Sequence, residues 1–311
     1  MNGYTAVQTG SAISARDLIQ VLVVIILWAI CYPLITTGLA AFPPLHFAAL
    51  RSFLAGVSLL VAGIVLKRPL LPDRGSWLSL VIASLSFTAL GFSGMFLAGG
   101  LVTPGLATVI ANAQPLMAAV LGYFVLTERL TGTRGLALLV GFAGIAVIAT
   151  PGLFGQSSNS TLVGIGLVLI GATGVAIGNV VLKRIAGQVD PVMAMAWVLL
   201  LGAVPLAIAA VVFEQADVLY WSLPSIVNLL VLSVFGTALA FLGWLDILRR
   251  ADLNLLNTYT FLTPVFGLLI GMLFYNEQLL TIEWFGVVVA VFAVFLPGST
   301  QRIRDWRRVG R

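Results

Sequence analysis

The sequence predicts an all-α integral membrane protein of ten transmembrane helices, built as an inverted repeat of five plus five. Three observations carry that prediction. Of the 311 residues, 60% are hydrophobic and 9% charged, and the mean hydropathy is +1.10. So little polar surface cannot cover a water-facing exterior, which makes lipid the solvent. A segment also returns without a gap 149 residues later: Thr88-Ala89-Leu90 and Phe92 recur as Thr237-Ala238-Leu239 and Phe241. Pro115, Gly122, Glu128 and Leu130 recur at the same offset as Pro264, Gly271, Glu277 and Leu279, so two homologous halves follow. The third observation is that fifteen of the sixteen Lys and Arg residues fall on one side of the chain's path.

Apolar runs near 18–40, 44–66, 76–98, 103–126, 134–150, 162–184, 191–213, 224–248, 253–274 and 282–297 form the ten spans. Each is long enough to cross a hydrocarbon core of ~30 Å. None shows the strict alternation of a barrel strand, and a backbone in lipid must satisfy its own hydrogen bonds, so the spans are helices. The first run is too long for a signal h-region and no small-residue cleavage site precedes it, so no cleaved leader is expected. The single cysteine, Cys31, excludes an internal disulfide.

Span 1 carries Trp28 and Tyr32 one turn apart, then Pro33, and no carboxylate between Leu18 and Ala40. Span 2 opens with His46 and then places Arg51 about 10 Å inside. A cation there either pairs a substrate carboxylate or is structural, snorkelling to the interface or binding exposed carbonyls. Span 3 offers Phe92 and Phe96 on one face among Gly91, Gly94, Gly99 and Gly100. Span 4 holds Asn112, Gln114 and Pro115, where a proline-freed carbonyl and two amides can be presented together. Span 5 closes the first half. Span 6 is glycine-rich through Gly178 and Asn179, a rough counterpart of Pro33 that would kink or thin the helix. Span 8 repeats the aromatic face with Phe241 and Trp244, followed by Asp246, which an interfacial pair with Arg249 and Arg250 explains. Span 9 has Thr258, Tyr259, Phe261, Thr263 and Pro264 opposite the polar group of span 4. Trp77, Trp221 and Trp284 begin spans and suit the interfacial belt.

Counting loops, the N-terminal side receives Arg16; Lys67, Arg68 and Arg74; Arg129 and Arg134; Lys183 and Arg184; Arg249 and Arg250; and five arginines of the tail. The other side receives Glu214, Asp217, Glu277 and Glu283 but no Lys or Arg. By the positive-inside rule both termini are cytoplasmic. Five spans per half is odd, so the second half enters upside down, the architecture of carriers with a central site. The expected organisation is a cytoplasmic segment 1–17, a first repeat 18–150, an external linker 151–161, an inverted repeat 162–297 and a basic tail 298–311. The net charge of +5 belongs to these topogenic residues, so no nucleic-acid partner is expected.

The Pro-x6-Gly-x5-Glu-x-Leu pattern at 115–130 and 264–279, Pro44 with Arg51, and Trp28 resemble the EamA branch of the drug/metabolite transporter superfamily. Within it, YddG-type exporters of amino acids, aromatic ones included, are the nearest resemblance. It implies a basket of helices 1–4 and 6–9 around a cavity, helices 5 and 10 at the side, and export of small metabolites across a bacterial inner membrane. Related small multidrug exporters use a buried Glu in helix 1 that this chain lacks, which disfavours proton-coupled export of cationic drugs.

The expected substrate-binding residues are Trp28, Tyr32, Phe92, Phe96, Asn112, Gln114, Asn179, Phe241, Trp244, Thr258, Tyr259 and Thr263. Pro33, Pro115 and Pro264 are the expected kinks. No metal cluster, cofactor or nucleotide-binding loop is expected, nor a nucleophile and base at one depth, so catalysis is not. The expected activity is facilitative or exchange transport of amino acids by a monomer, with drug-like or nucleotide-related cargo, or a membrane enzyme, as alternatives.

Overall fold

A computed structural model describes residues 15–126, 132–154, 159–215, 219–248, 259–260, 262–276 and 278–293. Among these residues the structure is helical, with one isolated bridge between Ala186 and Val189 and no strand. The helical segments fall into ten spans. They are α1 (Ala15–Gly38), α2 (Pro44–Val65), α3 (Arg74–Ala98), α4 (Pro104–Ala111 and Gln114–Leu126) and α5 (Gly132–Phe154). The second half supplies α6 (Asn159–Arg184), α7 (Pro191–Phe213), α8 (Leu223–Ile247), α9 (Leu262–Tyr275) and α10 (Thr281–Ala293). Six of them, α1, α2, α3, α6, α7 and α8, are long and apolar enough to cross a membrane on their own. Phe124, Val211, Phe213, Leu273 and Phe274 point outward and are each about three-quarters exposed, which only a lipid solvent tolerates.

Eight helices close a ring in the order α2, α8, α1, α9, α4, α6, α3, α7 and back to α2. Of the eight ring contacts the α2–α7 pairing is the most extensive. α5 lies outside the ring against α4 and α6, and Gly144 and Gly286 seat α5 against α10. The eight-helix basket with two lateral helices is the arrangement the family resemblance implies.

The α3–α6 seam shows why the glycines are there. A Cβ on Gly94 would sit 2.6 Å from the Gly171 nitrogen and 2.7 Å from its Cα, so only hydrogen atoms fit between the two backbones. Gly178 likewise admits the Phe87 backbone, at 3.0 Å from Cα and nitrogen. α6 therefore runs unbroken through Gly178 and Asn179, and the expected kink is replaced by a close approach. Gly100 and Gly166 face open space and serve no such contact.

α1 is interrupted at Ile30, three residues before Pro33, and α4 at Asn112 and Ala113, just before Pro115. Both breaks follow from the missing proline donor. Pro264 lies inside α9, and Phe261 before it lies outside the described residues. Pro205, which the sequence reading passed over, lies inside α7.

α3 and α8 each contain a π-helical stretch, Ser84–Leu90 and Val231–Leu239. The two stretches contain the repeated Thr-Ala-Leu and lie at the repeat offset. Their serines are matched as well: Ser84 Oγ donates to the Leu80 carbonyl at 2.6 Å and Ser233 Oγ to the Leu229 carbonyl at 2.7 Å. Long π runs are rare in proteins, so a pair of them at one offset marks a feature that both halves retain.

The antiparallel α2–α7 pair is held at both ends. On the face where α1 begins, the near face, the Asp190 carboxylate caps its own helix by accepting from Val192 and Met193 and meets Arg68 Nη1 at 3.5 Å. On the far face Glu214, just beyond α7, accepts from the Leu45 and His46 backbone nitrogens at 2.8 and 3.0 Å and from His46 Nδ1 at 2.8 Å. Each helix N-terminus thus receives a carboxylate where its dipole favours one.

Candidate functional site

Rings from four helices and two connecting segments form a continuous series across the basket. Trp244 of α8 and Trp28 of α1 lie 5.3 Å apart, and Trp28 meets Phe241 at 6.0 Å. Phe241 continues to Phe87 of α3 at 5.9 Å, Phe87 to Phe92 at 6.3 Å and Phe92 to Phe96 at 6.3 Å. Phe96 meets Phe47 of α2 at 5.1 Å, and Phe42 and Trp221 complete the series at the far face. Trp28, Phe241 and Trp244 are half-buried, whereas Phe96, Phe47 and Phe42 are sealed. These separations are those of edge-to-face and offset pairs.

Arg51 stands over this series. Its guanidinium carbon is 4.5 Å from the Phe92 centroid and 5.6 Å from that of Phe96, with the residue 4% exposed. Such stacking is worth about 2 kcal/mol or more when desolvated. Nε donates to Thr237 Oγ1 at 3.0 Å and Nη2 to Cys31 Sγ at 3.5 Å. Arg51 therefore neither snorkels nor binds helix carbonyls; it ties α2 to α1 and α8. The π register makes the Thr237 contact possible, because Thr237 Oγ1 donates in turn to the Leu232 carbonyl five residues back, at 3.0 Å. At the repeat position Thr88 Oγ1 donates to the Val198 carbonyl of α7 at 3.1 Å. Both threonines thus cross between halves.

Two buried polar atoms here have no partner: Arg51 Nη1 and the Tyr32 hydroxyl. Tyr32 is 4% exposed and adjoins Cys31 in sequence. Its ring packs among Ala98, Val102, Ala107 and Ile110.

The expected residues divide accordingly. Trp28, Phe92, Phe96, Phe241, Trp244 and Arg51 come together, and Tyr259 joins them indirectly, packing with Trp244 against Val21, Ile25 and Ile247. Asn112 donates from Nδ2 to the Thr108 carbonyl at 2.8 Å, closing the first segment of α4. Thr263 is buried in α9, while Gln114 and Asn179 are half-buried and enter none of the hydrogen bonds above. Thr258 lies outside the described residues, as do Glu128, Glu277, Arg249 and Arg250. Asp246 accepts from Gln20 Nε2 at 3.1 Å. Pro33 offers its carbonyl to Thr37 and to the Tyr275 hydroxyl of α9, a contact that proline alone does not reveal. Phe87 and Thr237 were also missed, although both sit in or beside the Thr-Ala-Leu repeat. Among the described residues no three His, Cys, Asp or Glu side chains gather as a metal site.

A basket of eight helices with two at its side, made of two related halves, defines a membrane transporter fold. The sequence profile of the EamA-like transporter family matches residues 16–150 and again 162–297, and the chain belongs to that family. A WAT1-related chloroplastic protein of Arabidopsis thaliana is 32% identical over 262 residues, covering 81% of this chain and 62% of its own length. This chain therefore spans less than two thirds of that plant relative. A probable amino-acid metabolite efflux pump of Escherichia coli K12 is 26% identical over 96% of this chain and 99% of its own. A solved crystal structure superposes with a TM-score of 0.68 at 21% identity, over 90% of this chain and 96% of that one, a likeness of fold.

Proposed function

We propose that this transporter exports small metabolites, amino acids with aromatic side chains foremost, by alternating access between its two halves. The observation that supports this most is the ring series running from Trp244 near one face to Trp221 at the other, with a cation above its middle. A planar apolar body can stack along such rings while a polar end is held by Arg51. The Escherichia coli relative's description as an amino-acid metabolite efflux pump points the same way.

The described spans carry their carboxylates at helix ends, at Asp17, Asp73, Asp190, Glu214, Asp246 and Glu283. Transport therefore follows the substrate's own gradient or an exchange, without obligate proton antiport. The protein acts as a monomer without catalysis, in a bacterial inner membrane, with both termini cytoplasmic, as the loop charges require. Uptake of labelled tryptophan, phenylalanine, threonine and a nucleoside into proteoliposomes, with and without a pH gradient, tests this reading. Saturable amino-acid uptake without a gradient is expected; uptake of the nucleoside alone, or an absolute need for the gradient, overturns it.

A further inference from the structure

We infer that the far half of α1, Cys31–Gly38, is the gate that closes the basket at its far face, latched by Thr36 to the end of α3. The inference deepens the alternating-access reading above and rests on it: it names the segment that moves and the bond that holds it shut.

In the ring of eight, α1 and α3 stand opposite one another, with three helices between them on either side. Where opposite helices touch, the space between them is shut at that depth. Beyond the break at Ile30 they do touch. Thr36 Oγ1 donates to the carbonyl of Gly99, which caps α3, at 3.2 Å. A Cβ on Gly99 would lie 2.9 Å from Ile35 Cγ2 and 2.9 Å from Leu39 Cδ1, so the end of α3 seats directly on the segment. One turn back, Tyr32 shares an apolar cluster with Ala98 of α3 and with Ala107 and Ile110 of α4. Gly38 backs onto the Phe47 ring of α2 and the Asn228 amide of α8. The segment thus meets helices all around the mouth.

The closure is one-sided. Trp28, Phe241 and Trp244, toward the near face, are half-buried, whereas Ile35, Phe47 and Phe96 around the crossing have no exposed surface. Toward the near face α1 bonds a ring neighbour instead, Gln20 Nε2 donating to the Gly243 carbonyl of α8 at 3.0 Å. Two features let the segment move. Pro33 has no N–H for the Ala29 carbonyl, so α1 bends there without losing a further backbone bond. The latch is one neutral hydrogen bond, and the Gly99 carbonyl exchanges it for water when the mouth opens. On its other flank the segment is fastened to α9, where the Tyr275 hydroxyl, Thr37 Oγ1 and the Pro33 carbonyl form a hydrogen-bonded triangle. Segment and far end of α9 therefore leave α3 together.

The test uses the full-length chain in intact cells, which present the far face, and in inverted membrane vesicles, which present the near one. The sole cysteine, Cys31, is the reporter: it lies at the root of the segment and is 4% exposed. A charged, membrane-impermeant methanethiosulfonate is applied from one side at a time and the labelling rate is read. Thr36→Val keeps the shape of the side chain, deletes the latch and speeds far-side labelling by up to about tenfold, the value of one hydrogen bond, without speeding near-side labelling. Gly99→Ala wedges a methyl against Ile35 and Leu39 and acts in the same direction, while Gly100→Ala, facing open space, labels as the parent does. A contact that served the fold alone would, once lost, raise both rates together. That result, or parental far-side labelling in both Thr36→Val and Gly99→Ala, overturns the gate. The transport reading fails separately: one-sided acceleration in a protein that moves no amino acid keeps the gate and removes the cargo. Unchanged labelling in a protein that carries tryptophan does the reverse.

Discussion

Thr88 and Thr237 occupy one position of the repeat but cost different amounts to remove. Thr237 Oγ1 accepts from a buried cation, whereas Thr88 Oγ1 donates to a helix carbonyl that also has its own helical donor within reach. Thr237→Val therefore leaves Arg51 Nε unpaired and lowers stability by about 1.5–3 kcal/mol, while Thr88→Val costs about 0.5–1.5 kcal/mol. Denaturation of both variants in the same detergent reads the difference; equal losses would refute the argument. A similar asymmetry holds at Glu214, whose carboxylate serves two backbone donors of α2 as well as His46. Glu214→Ala loses a helix cap worth about 1 kcal/mol and exceeds His46→Ala in the same measurement. At this scale the sequence was only partly legible. Arg51 stood out as a cation inside an apolar run, but its acceptor is 186 residues away and nothing in the local sequence names it. Phe87 was overlooked because one phenylalanine among eighteen carries no mark until its ring neighbours are known.

At the scale of helices, the α3–α6 seam and the π stretches make separate predictions. Gly94→Ala drives a methyl into the Gly171 backbone and sharply reduces folded yield, because backbone cannot rotate away as a side chain can. Gly166→Ala, facing open space, leaves yield unchanged. Fluorescence-detected size-exclusion profiles of the two variants are the measurement. Removing Ala89 from the Ser84–Leu90 stretch takes out a residue that the wide turns absorb, so the stretch relaxes toward α geometry and Thr88 shifts from its place opposite the Val198 carbonyl. The expected result is a lower melting temperature of the monodisperse peak, where a loop deletion at Gly100 is tolerated. Span positions were legible because twenty apolar residues in a row have one use in lipid, and the breaks in α1 and α4 because proline has no donor. The π register was not, since the same residues satisfy α and π helices equally well. Only the recurrence of Thr-Ala-Leu hinted that this stretch was special. The uninterrupted course of α6 was hidden for a related reason: glycine permits a kink and a close contact alike, and the partner backbone decides.

For the whole molecule, the ring order places the α2–α7 edge opposite the α4–α9 edge, beside which α5 and α10 lie. A pair of cysteines in place of Arg68 and Asp190, in a Cys31→Ser background, is expected to crosslink with little loss of transport. Crosslinking Thr108 of α4 to Gly267 of α9, which touch across the other edge, is expected to stop it. Transport by both oxidised proteins, compared with their reduced forms in proteoliposomes, is the readout. Loss in the first and retention in the second would place the moving edge on the wrong side.

The two end fastenings of α2 and α7 also limit the kind of motion available. Translating one helix along the other by a single residue, about 1.5 Å, would stretch the Asp190 and Glu214 contacts together, since one is fixed at each end. A swivel about the long axis of the pair stretches neither. Of the six rigid-body freedoms between the halves, the fastenings leave this one cheap, so the molecule is geared as a hinge whose pin is the α2–α7 pair.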